Sequence, residues 1–418
     1  MGHFVITGGK PLKGEISLQG AKNAVLPILA ATVLINGTSE LHNCPALRDV
    51  TASLKILRYL GCKAEQTGDV VTVDASQITG FEVSDDLMRE MRSSFVFVGA
   101  MAARCGFAEI TYPGGCELGA RPIDLHLKAF RAMGMKITEE HGKIYCDARR
   151  LRPAAIHLDF PSVGATENIM LAAVFTPGVT RIVNAAKEPE IEDLQNFLNR
   201  AGAKIYGAGG SEIYIEGVPS LKSVTHRVIP DRIVGATYLM AAAVTRGELL
   251  IRNIEPSHMD GILPVLEECG CEIGYPRDGI LNIKCKERMG ATDKVRTLPY
   301  PGFPTDAQAP LMAMLATACG SSMITETIFE SRFKHVEELI KMGANIKTDG
   351  RVAVIRGVRE LSGAEVTAGD LRGGAALMLA ALGASGTSKL HKIELIDRGY
   401  EAPESILASL GAKIKRVE

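Results

Sequence analysis

Hydrophobic and polar positions along this chain follow a pattern that recurs in blocks. Six times, a stretch with apolar residues at helical spacing ends in glycine. A small residue or methionine comes next, then a polar residue and an apolar alternation. The segments are 60–63, 133–136, 201–204, 269–272, 342–345 and 410–413. Their glycines, Gly61, Gly134, Gly202, Gly270, Gly343 and Gly411, lie roughly 70 residues apart. Glycine just past a helix adopts the left-handed cap without a Cβ penalty, and the alternation after it starts a strand. A second pattern recurs in the same order, as helices of small and apolar residues at 20–31, 94–103, 164–173, 235–243, 306–316 and 373–381. Apolar on nearly every side, such helices belong in an interior. Each block thus predicts helix, strand, helix, strand, strand, an α/β unit with the small-residue helix buried under sheet.

Six units over 418 residues predict two similar domains of three. The third unit gives way to the fourth near 228–231. The sixth stops without its last strands, and 4–17 resembles 352–366, so the first twenty or so residues are expected to complete the second domain. The domains read as 21–229 and as 1–20 with 230–418. Crossovers near Gly20 and Asp231 predict a hinge and a cleft that closes around ligand.

Composition acts mainly by exclusion. Aromatic residues are 5% and Trp is absent, which argues against nucleic-acid binding through stacked bases. Lys and Arg number 47 against 48 Asp and Glu, so no global field draws the chain to DNA or to an acidic membrane. Nine cysteines at irregular spacings make no disulfide framework, and Cys269 with Cys271 lacks a second pair at zinc spacing, so no metal is expected. The N-terminus has no basic-then-apolar leader pattern, and the longest apolar runs are too short to span a bilayer. The expectation is a reduced, cytoplasmic protein.

Aligning the repeats gathers polar residues at the starts of the small-residue helices. Lys22 and Asn23 enter the first, Arg92 precedes the second, and Ser162 and Val163 the third. Asp231 and Arg232 precede the fourth, Asp306 the fifth, and Asp370 and Arg372 the sixth. Taken singly, Asp306 reads as an ordinary N-cap, Lys22 or Arg372 as a solvated charge and Ser162 as a plain helix start. Their recurrence at one end of one repeated unit predicts a site for strongly anionic ligands. The loop 113–122 adds three glycines, two prolines, Cys116 and Arg121. By itself it suits a surface turn as well as a reactive centre, since a nearby cation lowers a thiol's pKa and a guanidinium grips phosphate or carboxylate. Arg332 and Arg398 lie in equivalent loops.

Seven segments in order resemble the enolpyruvyl transferase family almost end to end. They are Gly20-Ala-Lys22-Asn23-Ala, 113–126 with Cys116 and Arg121, Ser162-Val-Gly-Ala-Thr, Phe303-Pro-Thr-Asp306, Phe329-Glu-Ser-Arg332-Phe, Asp370-Leu-Arg372 and Ile396-Asp-Arg398-Gly-Tyr. The resemblance implies two domains, each of three βαβαββ units with buried helices and outer sheets, an inside-out α/β barrel. It implies transfer of the enolpyruvyl group of phosphoenolpyruvate to the 3′-hydroxyl of UDP-N-acetylglucosamine, releasing phosphate, in peptidoglycan synthesis. By the same resemblance Cys116 would be the proton donor and the point of covalent attachment of phosphoenolpyruvate. Asp306 would take the sugar hydroxyl's proton, and Asp370 and Arg398 would assist. Lys22, Asn23, Arg121, Arg332, Arg372 and Arg398 would bind phosphoenolpyruvate. Asn23, Arg92, Arg121, Pro122, Ile123, Asp124, Leu125, Pro161, Ser162, Val163, Gly164, Asp306 and Ile328 would bind the nucleotide sugar. The loop of Cys116 would close as a lid, and thiol reagents such as fosfomycin would act there. The implied partners are these two small molecules, with no cofactor, no metal, no nucleic acid and no membrane insertion; the oligomeric state is left open. Some relatives carry Lys where this chain has Phe160-Pro161, which puts one charge contact to the nucleotide in question. Two alternatives stay open, the sister transfer to shikimate 3-phosphate and a non-catalytic UDP-sugar-binding regulatory copy.

Overall fold

The computed structural model describes residues 2–90, 92–111 and 123–418, and the side chains at 89, 90, 92 and 93 lie outside that description. The described residues fall into two compact units, one from Gly20 to Ile229 and the other joining the chain's start up to Gln19 with Pro230–Glu418. Each has its own hydrophobic core.

All six expected glycine caps are present, each with φ between +85° and +110°. At the first, the Gly61 N–H donates to the Arg58 carbonyl at 3.0 Å and the Cys62 N–H to Leu57 at 2.9 Å. The same pair of bonds recurs at Gly134, Gly202, Gly270, Gly343 and Gly411. This closure satisfies the last free carbonyls of each outer helix and turns the chain into a strand.

The small-residue helices are α1 (Lys22–Ala31), α2 (Phe97–Cys105), α3 (Val163–Ala173), α4 (Arg232–Thr245), α5 (Thr305–Leu315) and α6 (Leu371–Gly383). Nearly every residue of α1, α3, α4, α5 and α6 is buried, as apolar surface on all sides requires. In one unit α4, α5 and α6 pack on one another, and in the other α2 packs on α1 and α3. Three sheets surround the helices in each unit, five of the six four-stranded. Burial alternates along their strands, one face on the helices and one in solvent, as at Thr38–His42 and Ser321–Thr325.

The repeats interlock in a way the pattern did not show. The last strand of a repeat leaves its own sheet and pairs in parallel with the first strand of another. Ala155–His157 lies beside Val179–Val183, Val224–Arg227 beside Thr38–His42, and Lys294–Arg296 beside Ser321–Thr325. Glu365–Thr367 likewise joins Thr387–His391. The sixth place, beside Phe107–Thr111, holds a single bridge from Glu82 to Glu109 among the described residues, where that sheet has three strands. Sequence similarity to 352–366 pointed both N-terminal strands at the sixth repeat. His3–Thr7 does go there, inserted between Thr387–His391 and Lys413–Val417, but Lys13–Ser17 pairs with Glu248–Arg252 of the fourth. The reason is geometric, because a parallel neighbour must arrive by a crossover, and the preceding repeat's tail is the segment that supplies one.

Asparagines pin these exchanges. Asn43, Asn184 and Asn253 each follow a first strand with φ between +51° and +60°. Each side-chain amide donates to the carbonyl just past the incoming strand, at Val228, Leu158 and Leu18, over 2.7–2.8 Å. Asparagine tolerates this left-handed backbone better than most residues. Gly20 passes so close to the same turn that an added Cβ would stand 1.7 Å from the Asn43 carbonyl oxygen. Among the described residues no helix is long and apolar enough to cross a membrane.

Candidate active site

The densest charged cluster forms where α5 and α6 begin. Helix α5 starts at Thr305 after Pro304, so Asp306 is not the N-cap that its position suggested; it sits inside the first turn with no cap bond to make. Its carboxylate instead accepts from two guanidiniums, Arg332 Nη2 to Oδ1 at 2.6 Å and Arg372 Nη2 to Oδ2 at 3.0 Å. Both arginines are almost fully buried, so neither is a solvated charge. Arg372 also donates to the Tyr400 hydroxyl at 3.3 Å, which in turn meets the Thr237 hydroxyl at 2.8 Å. Asp370 does cap its helix, accepting from the Arg372 and Gly373 N–H groups at 2.9 Å each. The buried Nε groups of Arg332 and Arg372 have no hydrogen-bond partner among the described residues, so within them the pair keeps unused donor capacity after Asp306 is bound.

Glu326, which the sequence reading passed over, holds this cluster's second wall. Almost fully buried after strand Ser321–Thr325, it accepts from the Thr297 and Thr305 hydroxyls at 2.9 Å each. It also takes the N–H groups of Ile328 and Phe329, at 2.8 and 3.1 Å. One carboxylate thereby ties the turn that presents Ile328 and Arg332 to the start of α5. The legible hint was an acid flanked by threonines at the end of an apolar strand. His335 is buried close by, and burial pushes its imidazole down to about 4; Asp370 opposes that shift and Arg332 adds to it. It is therefore neutral at pH 7. Arg398 closes the short helical turn Ile393–Arg398 and is half-buried.

In the other unit, Lys22 opens α1 and forms an ion pair with Asp49 at 2.7 Å, its side chain only 10% exposed and that of Asp49 2%. Lys22 is thus a buried cation with a buried partner, and Asp49 is a residue the sequence reading missed. Asn23 beside it is exposed. Two further segments meet around His126. Its ring Nδ1 lies 3.0 Å from the Asn168 amide nitrogen, and an added Cβ on Gly164 would stand 3.2 Å from its Cε1. This contact sets buried Ile123, exposed Asp124 and half-buried Leu125 against half-buried Pro161, Ser162, Val163 and Gly164. Ser162 caps α3 through a 3.4 Å bond from the Ala165 N–H, so it acts as a helix start while belonging to this surface. Burial pushes His126 down to about 4. Cys116, Arg121, Pro122 and the side chain of Arg92 lie outside the described residues. Burial pushes Cys44, Cys146 and Cys269 up to about 12 and Cys62 up to about 11, which keeps those thiols protonated and inert.

This geometry offers paired guanidiniums around a carboxylate in one unit and a buried ammonium–carboxylate pair in the other, an inventory suited to phosphate and carboxylate groups. Comparison with known proteins points the same way. The family model described as EPSP synthase (3-phosphoshikimate 1-carboxyvinyltransferase) matches residues 6–407. UDP-N-acetylglucosamine 1-carboxyvinyltransferase 2 of Caldanaerobacter subterraneus subsp. tengcongensis is 54% identical over 417 residues, covering 100% of both chains. The relative named UDP-N-acetylglucosamine 1-carboxyvinyltransferase 1 from Symbiobacterium thermophilum is 51% identical, covering 99% of this chain and 95% of its own. Among solved structures, the enolpyruvyl transferase NikO from Streptomyces tendae aligns with a TM-score of 0.90 at 24% identity, covering 100% of this chain and 99% of its own. EPSP synthase from Acinetobacter baumannii aligns at 0.78 and 19%, covering both chains fully, so these two share the fold.

Proposed function

Because the chain belongs to the enolpyruvyl transferase family, we propose that it moves the enolpyruvyl group of phosphoenolpyruvate to the 3′-hydroxyl of UDP-N-acetylglucosamine, giving UDP-N-acetylglucosamine-enolpyruvate and phosphate. The enzyme serves peptidoglycan synthesis. The observation that best supports this substrate pair is Asp306 held between two buried arginines. An arriving phosphoenolpyruvate carboxylate competes with Asp306 for Arg332 and Arg372, and that exchange releases a base where the sugar hydroxyl must lose its proton. Lys22, Arg121 and Arg398 are assigned to the phosphate, Arg332 and Arg372 to the carboxylate. Asn23, Arg92, 121–125, 161–164 and Ile328 are assigned to the nucleotide sugar, with Asn23 and Asp306 at the sugar.

In the addition step, Asp306 takes the hydroxyl proton, the sugar oxygen bonds to C2 of phosphoenolpyruvate, and the Cys116 thiol gives a proton to C3. In the elimination step, C3 gives a proton back to the Cys116 thiolate with Asp370 assisting, the double bond re-forms, and phosphate leaves with the proton that Asp306 had taken. Every atom is supplied by the two substrates and these side chains, so the reading calls for no cofactor. Because the matching family model is named for the shikimate enzyme, the test uses both acceptors. Phosphate release from phosphoenolpyruvate is measured with UDP-N-acetylglucosamine and separately with shikimate 3-phosphate, for the native chain and for Cys116→Ser. Release with the nucleotide sugar alone, lost in the variant, is expected. Release with shikimate 3-phosphate alone would overturn the substrate, and UDP-sugar binding without release would leave a regulatory protein.

A further inference from the structure

Residues 399–402, with Tyr400 among them and Arg398 just before, are irregular between the helical turns Ile393–Arg398 and Pro403–Ser409, so side chains from elsewhere help set their register. Arg416, on strand Lys413–Val417, grips both ends. It donates to Asp397 at 3.0 and 2.7 Å and to Glu404 at 2.7 and 3.1 Å. The middle is held by Gln19. Its side-chain carbonyl accepts from the Glu401 N–H at 2.9 Å and its amide donates to the Gly399 carbonyl at 3.2 Å. One side chain thus spans Tyr400 much as a neighbouring strand would. Tyr400, 1% exposed, carries the hydroxyl that bonds Arg372 and Thr237. The Gln19 main-chain carbonyl is fixed as well, accepting from Asp231 N–H at 3.0 Å, and Asp231 caps α4.

We propose that Gln19 is a positioning residue for the anion-binding cations. By fixing Gly399 and Glu401 it sets Arg398 directly and Arg372 through Tyr400, and so tunes the grip on phosphoenolpyruvate. The inference rests on the reading given under Proposed function. Two neutral hydrogen bonds are enough to bias the segment's conformation without deciding whether the unit folds. The effect therefore belongs in one substrate's KM.

The test compares the full chain with Gln19→Ala and Gln19→Glu. In Gln19→Ala the KM for phosphoenolpyruvate rises about tenfold, as expected for two lost hydrogen bonds, while the KM for UDP-N-acetylglucosamine holds and the unfolding midpoint falls by only a few degrees. Gln19→Glu keeps the acceptor for Glu401 but sets a carboxylate oxygen against the Gly399 carbonyl, so its rise is at least as large. Amide hydrogen exchange supplies a readout independent of turnover. In Gln19→Ala the Glu401 amide exchanges faster, and the capped turns at Gly343 and Gly411 do not change. An unchanged KM for phosphoenolpyruvate with unchanged exchange overturns the proposal, and so does a parallel rise in both KM values with a lowered midpoint. If the native chain releases no phosphate at all, the functional reading fails, and exchange at Glu401 still decides the clamp in either direction.

Discussion

Replacing Asp306 with Asn tests the charge arrangement at the start of α5 without changing shape. The native carboxylate is shared between Arg332 and Arg372, whose side chains are 2% and 4% exposed, while its own is 26% exposed. Asn keeps one acceptor for Arg332 but turns an N–H toward Arg372, so two buried guanidiniums lose the carboxylate they share, and Arg372 keeps the weaker pull of Asp231. Breaking a buried ion pair by removing one partner costs about 3–5 kcal/mol. The partial exposure of Asp306 lowers the cost for each pair, but two cations depend on the one carboxylate, so the expected loss stays at about 3–5 kcal/mol. The chain has no Trp, so urea unfolding is best followed by circular dichroism at neutral pH. A dianion should bind the vacated guanidiniums, and phosphate at about a hundred times its Kd restores about 2.7 kcal/mol. Native protein gains less, because Asp306 already occupies the donors. A variant within about 1 kcal/mol of native, with equal phosphate shifts in both proteins, would refute the claim that Asp306 is the counter-ion of a buried pair.

Other perturbations follow from the same geometry. His335 and His126 both sit at about 4 in the fold, below the ordinary imidazole value near 6.5. Between those values the unfolded chain binds the proton and the native protein does not, so stability is complete above pH 6.5 and falls as pH drops toward 4. The fall is at most about 3 kcal/mol per histidine, and His335→Phe should flatten the pH dependence of the unfolding midpoint by close to one proton. Gly20→Ala forces a Cβ to 1.7 Å from the Asn43 oxygen, a clash with backbone that no rotamer relieves. The expected result is a loss above about 2 kcal/mol or failure to accumulate as soluble protein, measured against Gly290→Ala, where the nearest atom to an added Cβ is 3.8 Å away.

The sequence made the repeated skeleton legible because glycine caps and small-residue helices are local features. A helix that must end in a left-handed residue, or that is apolar on every side, declares itself within a dozen positions. Strand exchange was not legible, since parallel partners such as Lys13–Ser17 and Glu248–Arg252 lie far apart in the chain and carry no pairing label. The site divides the same way. Lys22, Arg332 and Arg372 stood out as cations at recurring places, but their partners could not be deduced. Asp49 looks like a first-turn acid on an amphipathic helix, and Glu326 like a charge at a strand end. Taken singly, Asp306 suits a cap because Asp commonly caps; Pro304 takes that place and frees the carboxylate for two arginines. Burial decides these roles, and burial depends on the whole fold.

The placement of His3–Thr7 has a consequence for how the protein is made. This strand leaves the ribosome long before its two neighbours, Thr387–His391 and Lys413–Val417, and Thr7 meets Thr387 some 380 positions later. At about 5–20 residues per second the wait is on the order of 20–80 s. Gly20–Ile229 has all its strands once residue 229 has emerged and folds early, while a short unpaired tail ahead of it stays open to protease or chaperone. The second unit cannot close until Lys413–Val417 has emerged. A message truncated just before residue 413 therefore yields one finished unit and one with its first strand lacking a neighbour.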